Sequence, residues 1–310
     1  MTRVRFIVGA SLLCSGIAAA QPADPAAPDA PPAPDGTAPA VMPAGGGAGD
    51  EIISQPMTLA ASKMSVYGHL DVVHFSTPAV GMVAGTSTTG EAVDLGFGYG
   101  LSDKLTVGGT YAFSLNSFEI KGPLTLYGAF SLYAKDKLTI GASANLTIDF
   151  NGGADAMGNT TTSETLQAGL GVRYAVAPKI AIFTGGAPLA GSTGALGLGI
   201  PNETPIAGGI LGQHLTIGLN SNAPISFDLP VGVGIQATPQ VYAWVNTSIG
   251  HIKFANTTNA FLFADFIPLN LGANYRASKN LEVEGFLTLP DLKNQQFDLV
   301  FFGIGARYYN

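Results

Sequence analysis

Residues 138–150 read LTIGASANLTIDF, and the reading of this stretch decides the fold. Leu138, Ile140, Ala142, Ala144, Leu146, Ile148 and Phe150 fall on one parity, and Thr139, Gly141, Ser143, Asn145, Thr147 and Asp149 on the other. Successive side chains of a strand point to opposite faces, so this is a strand with one greasy and one small or polar face. Residues 105–115 repeat it, with Leu105, Val107, Gly109, Tyr111, Phe113 and Leu115 against Thr106, Gly108, Thr110, Ala112 and Ser114. The alternation persists for the roughly ten residues that a tilted strand needs to cross hydrocarbon. Strands of water-soluble sheets average about five or six.

A repeat marks the strand ends. Leu95-Gly-Phe-Gly-Tyr99, Leu170-Gly-Val-Arg-Tyr174, Leu271-Gly-Ala-Asn-Tyr275 and Ile304-Gly-Ala-Arg-Tyr308 each place an aliphatic residue, a middle apolar residue and a tyrosine on one face. The first three copies run into short turns within 100–105, 175–180 and 276–281, and the fourth meets the end of the chain. Turns at 134–138 and 237–241 complete the set, while 76–91 and 151–164 read as long segments for the opposite rim. Tyr99, Tyr174, Tyr275 and Tyr308 then form one arc of an interfacial aromatic girdle, rings in the boundary and hydroxyls wet.

Upstream of this region the chain has a different character. Arg3 and Arg5, an apolar run from Phe6 to Leu13 and Ala18-Ala19-Ala20 make residues 1–20 a secretory signal peptide, cleaved after Ala20. Residues 21–61 read as a Pro-, Ala- and Gly-rich periplasmic linker, leaving 62–310 for the folded part. Cys14 is the one cysteine and lies in the signal peptide, and Leu12-Leu13 before it lacks the small residue of a lipoprotein site. The mature chain therefore has no disulfide, thiol nucleophile or thiolate metal ligand. Without Arg3 and Arg5, twelve basic residues face 21 acidic ones, a net charge of −9 that argues against nucleic acid as a partner. Mean hydropathy is +0.30 with 11% charged residues, which fits a membrane protein. The 41 glycines disfavour helices as its spans, since Gly costs about 1 kcal/mol against Ala inside one.

Together these features resemble bacterial outer-membrane β-barrels. The last residues, FDLVFFGIGARYYN at 297–310, are similar to the terminal strand of that family, with Val300, Phe302, Ile304, Ala306 and Tyr308 as its alternating apolar positions. Tyr309 and Asn310 depart from the family pattern, which ends on the aromatic. The resemblance implies an all-β fold, a transmembrane antiparallel up-and-down barrel. Its partners would be the lipid bilayer, lipopolysaccharide and the insertion machinery that reads the C-terminal strand.

Twelve strands are expected, near 64–75, 91–101, 105–115, 122–134, 138–150, 164–176, 180–187, 224–237, 240–252, 260–276, 281–289 and 297–309. Residues 184–224 leave two readings open. Either they form one long external excursion that could fold back to narrow the pore, or Pro201-Asn-Glu-Thr-Pro205 is a short-rim turn and the barrel has fourteen strands.

Motifs for catalysis are weak. Gly85-Thr-Ser-Thr-Thr-Gly90-Glu91 has phosphate-loop spacing but a glutamate where the lysine belongs, and reads as an external loop. The glycine pairs 96/98, 232/234 and 303/305 lie within strands and suggest a wall kept clear of side chains, to curve it or to leave lumen space. His74-Phe-Ser76 lacks the Asn-Gly that follows in outer-membrane phospholipases, and His69, His214 and His251 have no metal-ligand spacing. No enzyme activity, metal or cofactor is expected. By parity Asp71, Asp94, Asp149, Asp228, Glu282, Glu284, Arg173, Arg276 and Arg307 point inward, because a basic residue facing mid-bilayer lipid costs about 2–4 kcal/mol. They are candidates to line a path for small polar solutes, with Tyr127, Tyr133, Phe286 and 184–224 as groups that could plug it. The alternative is a closed structural or adhesive barrel acting through its loops.

Overall fold

Alternation along the chain becomes the two faces of a closed wall. The computed structural model describes residues 51–77, 85–115, 123–150, 162–184, 187–188, 201–202, 213–219, 225–254, 259–262, 268–289 and 299–310. Its strands are β1 (Met64–Thr77), β2 (Thr86–Ser102), β3 (Leu105–Ser114), β4 (Leu124–Lys135), β5 (Leu138–Asp149), β6 (Ser163–Ala177), β7 (Ile180–Thr184), β8 (Ala187–Pro188), β9 (Pro201–Asn202) and β10 (Gln213–Gly218). They continue with β11 (Ile225–Gln236), β12 (Val241–Phe254), β13 (Asn259–Leu262), β14 (Leu269–Ser278), β15 (Leu281–Leu289) and β16 (Leu299–Tyr309).

All wall pairings are antiparallel, and closure comes from β16, which pairs with β15 and also with β1. Among the described residues the wall is a closed barrel of twelve staves. Two staves are each built from two pieces. β7 pairs with β6 and β11 near the short-turn rim, and β10 pairs with the same two strands farther up. β13 and β14 likewise follow one another along β12. Closure leaves no edge, so backbone groups facing hydrocarbon are bonded within the wall, as a bilayer requires. Among the described residues no helix is long and apolar enough to cross a membrane.

The twelve-stave count matches the expectation, with corrections. The excursion is shorter than 184–224, because Gln213–Gly218 returns to the wall. Pro201–Asn202 is no short-rim turn, since it pairs with Ala187–Pro188 in a separate ladder, which removes the fourteen-strand reading. Thr86–Glu91, expected in a loop, is the start of β2, paired along β1 up to Thr77↔Thr86. Ladder bonds need only backbone, so a Ser/Thr run extends the strand without apolar alternation. Tyr133 faces outward rather than plugging the lumen, because the register shift between Ser131 and Tyr133 changes the face it presents.

The outer surface carries Phe97, Leu126, Leu132, Leu170, Phe302 and Ile304, all exposed. Lipid takes up such a surface, which in water would be an aggregation hazard, and moving each such side chain from water into hydrocarbon is worth about 1.5–3 kcal/mol. Tyr99, Tyr174, Tyr275 and Tyr308 are also outward and exposed, each near the short-turn rim. Tyr309, after the closing aromatic, turns inward and brings its hydroxyl within 3.5 Å of Glu282 Oε2.

Candidate functional site

Inward positions carry the chemistry, and the glycines shape it. On neighbouring strands Tyr67 lies opposite Gly96, Tyr127 opposite Gly108, Phe183 opposite Gly232, Trp244 opposite Gly272, Phe286 opposite Gly303 and His69 opposite Gly305. A Cβ added at any of these glycines would run into the facing ring. Each ring therefore lies flat over its neighbour's backbone. The pairs 96/98, 232/234 and 303/305 are thus seats for rings, a use the spacing alone did not reveal.

Charge gathers on the β14–β15–β16–β1–β2 side. Arg276, Glu282, Arg307 and Tyr67 stand opposite one another on successive strands. Arg276 donates from Nε and Nη2 to Glu282 Oε1 at 2.9 and 2.6 Å, and the Arg307 guanidinium sits 4.8 Å from the centre of the Tyr67 ring. In the next row His69 on β1 reaches across Gly305 of β16 to pair with Glu284 on β15, which also accepts from Asn274 Nδ2 at 3.1 Å. A side chain at 305 would block that bridge. Asp71 and Asp94 are buried beside this group.

Next round the ring, on β12 and β7 with β11 between them, the lining is aromatic and aliphatic, with Tyr242, Trp244, Ala181 and Phe183. Trp244 Nε1 donates to Asn274 Oδ1 at 3.2 Å, tying this stretch to the adjacent β14. A neutral ladder runs above, Thr288 Oγ1 to Asn270 Oδ1 at 2.8 Å and Asn270 Nδ2 to Asn246 Oδ1 at 2.5 Å.

Asp71, Asp94, Asp149, Glu282, Glu284, Arg173, Arg276 and Arg307 are all buried within the barrel, and the side chain of Asp228 lies outside the described residues. Tyr127 and Phe286, expected as groups that could plug the lumen, are buried inside the barrel. His74 is at the far end of β1, its Nδ1 3.1 Å from Thr89 Oγ1 and its Nε2 3.4 Å from Ser87 Oγ, with Ser76 in neither contact. The side chains of His214 and His251 lie outside the described residues. Among the described residues no group of three or more His, Cys, Asp or Glu could hold a metal ion.

The linker reading needs a correction at its end. Residues 51–61 are bound inside the short-turn mouth, while 1–50 lie outside the described residues. Ile52–Ser54 form a single 3-10 turn, and Ile52 and Ile53 join the cluster of Ala181, Phe183, Tyr242 and Trp244. Ile53 N donates to Gln236 Oε1 at 2.8 Å, Gln55 Nε2 to Glu282 Oε1 at 2.6 Å and Leu59 N to Thr106 Oγ1 at 2.8 Å, and Arg173 Nη2 donates to Gln55 O. These wall partners sit on β11, β15, β3 and β6, four separate sectors of the ring. Composition hid this segment because a plug inside a barrel needs no periodicity. Its one signal was Ile52-Ile53, the first apolar pair after the Pro/Gly run ends at Asp50.

No protein-family model matches the chain, and no curated protein matches it in sequence. Solved structures match it in fold. An outer membrane channel from Pseudomonas putida F1 shares 12% identity at a TM-score of 0.50, covering 81% of this chain and 96% of that one. A KdgM porin in complex with disordered oligogalacturonate shares 6% identity at a TM-score of 0.48, covering 79% and 98%. The likeness is one of fold, a closed antiparallel β-barrel.

Proposed function

We propose that this outer-membrane barrel is a porin-like channel for the passive passage of small polar solutes, with no reaction of its own, carried to the outer membrane by a cleaved signal peptide. One observation carries the reading. Charges of both signs line the interior of a closed wall whose outside is apolar, and a polar lining inside an apolar shell is the arrangement of a solute path across a membrane. The carboxylates Asp71, Asp94 and Glu284 then bias the path toward cations.

Planar-bilayer conductance of the refolded chain from residue 21, after a heat-modifiable gel shift has confirmed a closed barrel, tests this. Discrete ion-conducting steps whose cation preference falls in Asp71→Asn and Glu284→Gln support the channel. A second reading, a closed barrel acting through its loops, is favoured by the near-complete burial of the interior side chains and by the segment across the mouth. A folded barrel that never conducts, in any variant, establishes that reading instead.

A further inference from the structure

We propose that residues 51–61 are an autoinhibitory plug that closes the periplasmic mouth and swings out on a pivot at Ser62. This rests on the channel reading and adds where the path is shut and what opens it.

The first ground is geometry. The segment crosses the mouth from β3 to β6, β11 and β15, so a solute leaving the lumen on this side meets it. The second is how it is held. Ile53, Gln55, Thr58 and Leu59 are each tied to the wall by a bond in which at least one partner is a side chain, Thr58 Oγ1 donating to Asp103 O at 2.9 Å, and Leu59 adds a single isolated β-bridge. Separate ties of this kind release one by one, unlike a continuous ladder.

The third ground is that two of the wall partners keep a bond of their own without the segment. Glu282 keeps Arg276 when Gln55 leaves, and Gln236 Nε2 keeps Thr238 O at 2.7 Å when Ile53 leaves. The fourth is the pivot. The next residues are fixed to the rim, Ser62 N donating to Gly100 O at 2.8 Å and Gly100 N to Lys63 O at 2.9 Å. Ser62 has φ of 63°, left-handed backbone in a non-glycine residue, so the chain reverses there between the plug and β1. Gly100 has no side chain because Ala60 O lies against it.

The test uses the mature chain and three variants. Deleting 21–61 gives a pore that stays open with conductance raised several-fold. Ile53→Cys with Gln236→Cys, in a mature chain that has no other cysteine, forms a disulfide that holds the pore shut until reductant is added. Should the deletion hinder folding, Ile53→Asp in the full chain puts a charge into the apolar seat and drives the plug out. The single tryptophan, Trp244, gives a readout independent of conduction, because the cluster containing Ile52 and Ile53 covers it. Acrylamide quenching of Trp244 rises in the deletion and in Ile53→Asp. Full-length and deleted chains that conduct alike, a disulfide that leaves conduction unchanged, or unaltered quenching each overturn the plug while leaving the channel standing. A deleted chain that is folded, better quenched and still silent overturns the channel reading, and the plug's role as its barrier falls with it.

Discussion

Gly305→Ala puts the bridge over β16 to a quantitative test. A Cβ at 305 would lie 2.6 Å from His69 Nε2 and 2.7 Å from Gly68 O. Gly68 is held in the β1–β16 ladder opposite Ala306, so the His69 ring has to yield. Swinging away, it deprives Glu284 of the His69 bond and leaves it accepting from Asn274 Nδ2. A hydrogen bond to a charged group is worth about 1.5–3 kcal/mol, so the variant loses about 2 kcal/mol. At a urea slope of ~2 kcal/mol/M that moves the unfolding midpoint by roughly 1 M. Trp244 fluorescence in lipid vesicles follows the transition. His69→Ala removes the ring, so Gly305→Ala then costs less, and the double-mutant cycle gives a coupling of about 1–2 kcal/mol. Gly128→Ala is the control, since a Cβ there meets nothing within 4 Å. A Gly305→Ala as mild as Gly128→Ala, or strictly additive with His69→Ala, refutes the ring-seat account.

Other outcomes follow from the same geometry. Ile304→Arg, on the exposed outer face midway along β16, destabilises by about 2–4 kcal/mol in vesicle unfolding titrations, as a basic residue facing mid-bilayer lipid does; a neutral result would place 304 away from lipid. Gly100→Ala drives a side chain into Ala60 O and unseats the plug, so its conductance and Trp244 quenching move toward those of the 21–61 deletion. Arg307→Gln, removing one inward positive charge, shifts the bilayer reversal potential toward cation preference, opposite in sign to Asp71→Asn.

The wall was legible because its rule is local. Lipid outside and side chains inside impose parity on every stave, and that parity assigned Val300, Phe302, Ile304, Ala306 and Tyr308 to the outside and placed Asp71, Glu284 and Arg307 within. What escaped was set by long-range contact. Gln213–Gly218 is only six residues long, too short to show a period, and becomes wall because β6 and β11 leave a gap above β7. Thr86–Glu91 pairs by backbone alone. The glycine pairs looked like empty wall because the rings that occupy them come from other strands. Residues 51–61 carry no pattern, since their partners Thr106, Arg173, Gln236 and Glu282 are scattered over the chain.

The seam between β1 and β16 also gives folding a clock. Met64 N donates to Asn310 Oδ1, partners 246 residues apart, whereas most other wall contacts join adjacent hairpins. Closing so long a loop is entropically the dearest step and follows the local pairings. Until Tyr309 and Asn310 dock, the sheet is an open ribbon with bare edges at both ends. The plug is joined directly to one of those edges, through Ser62 and Lys63. Residues 51–61 lead directly into the strand that closes the seam, so the segment across the mouth and the last pairing of the ring are neighbours in the chain.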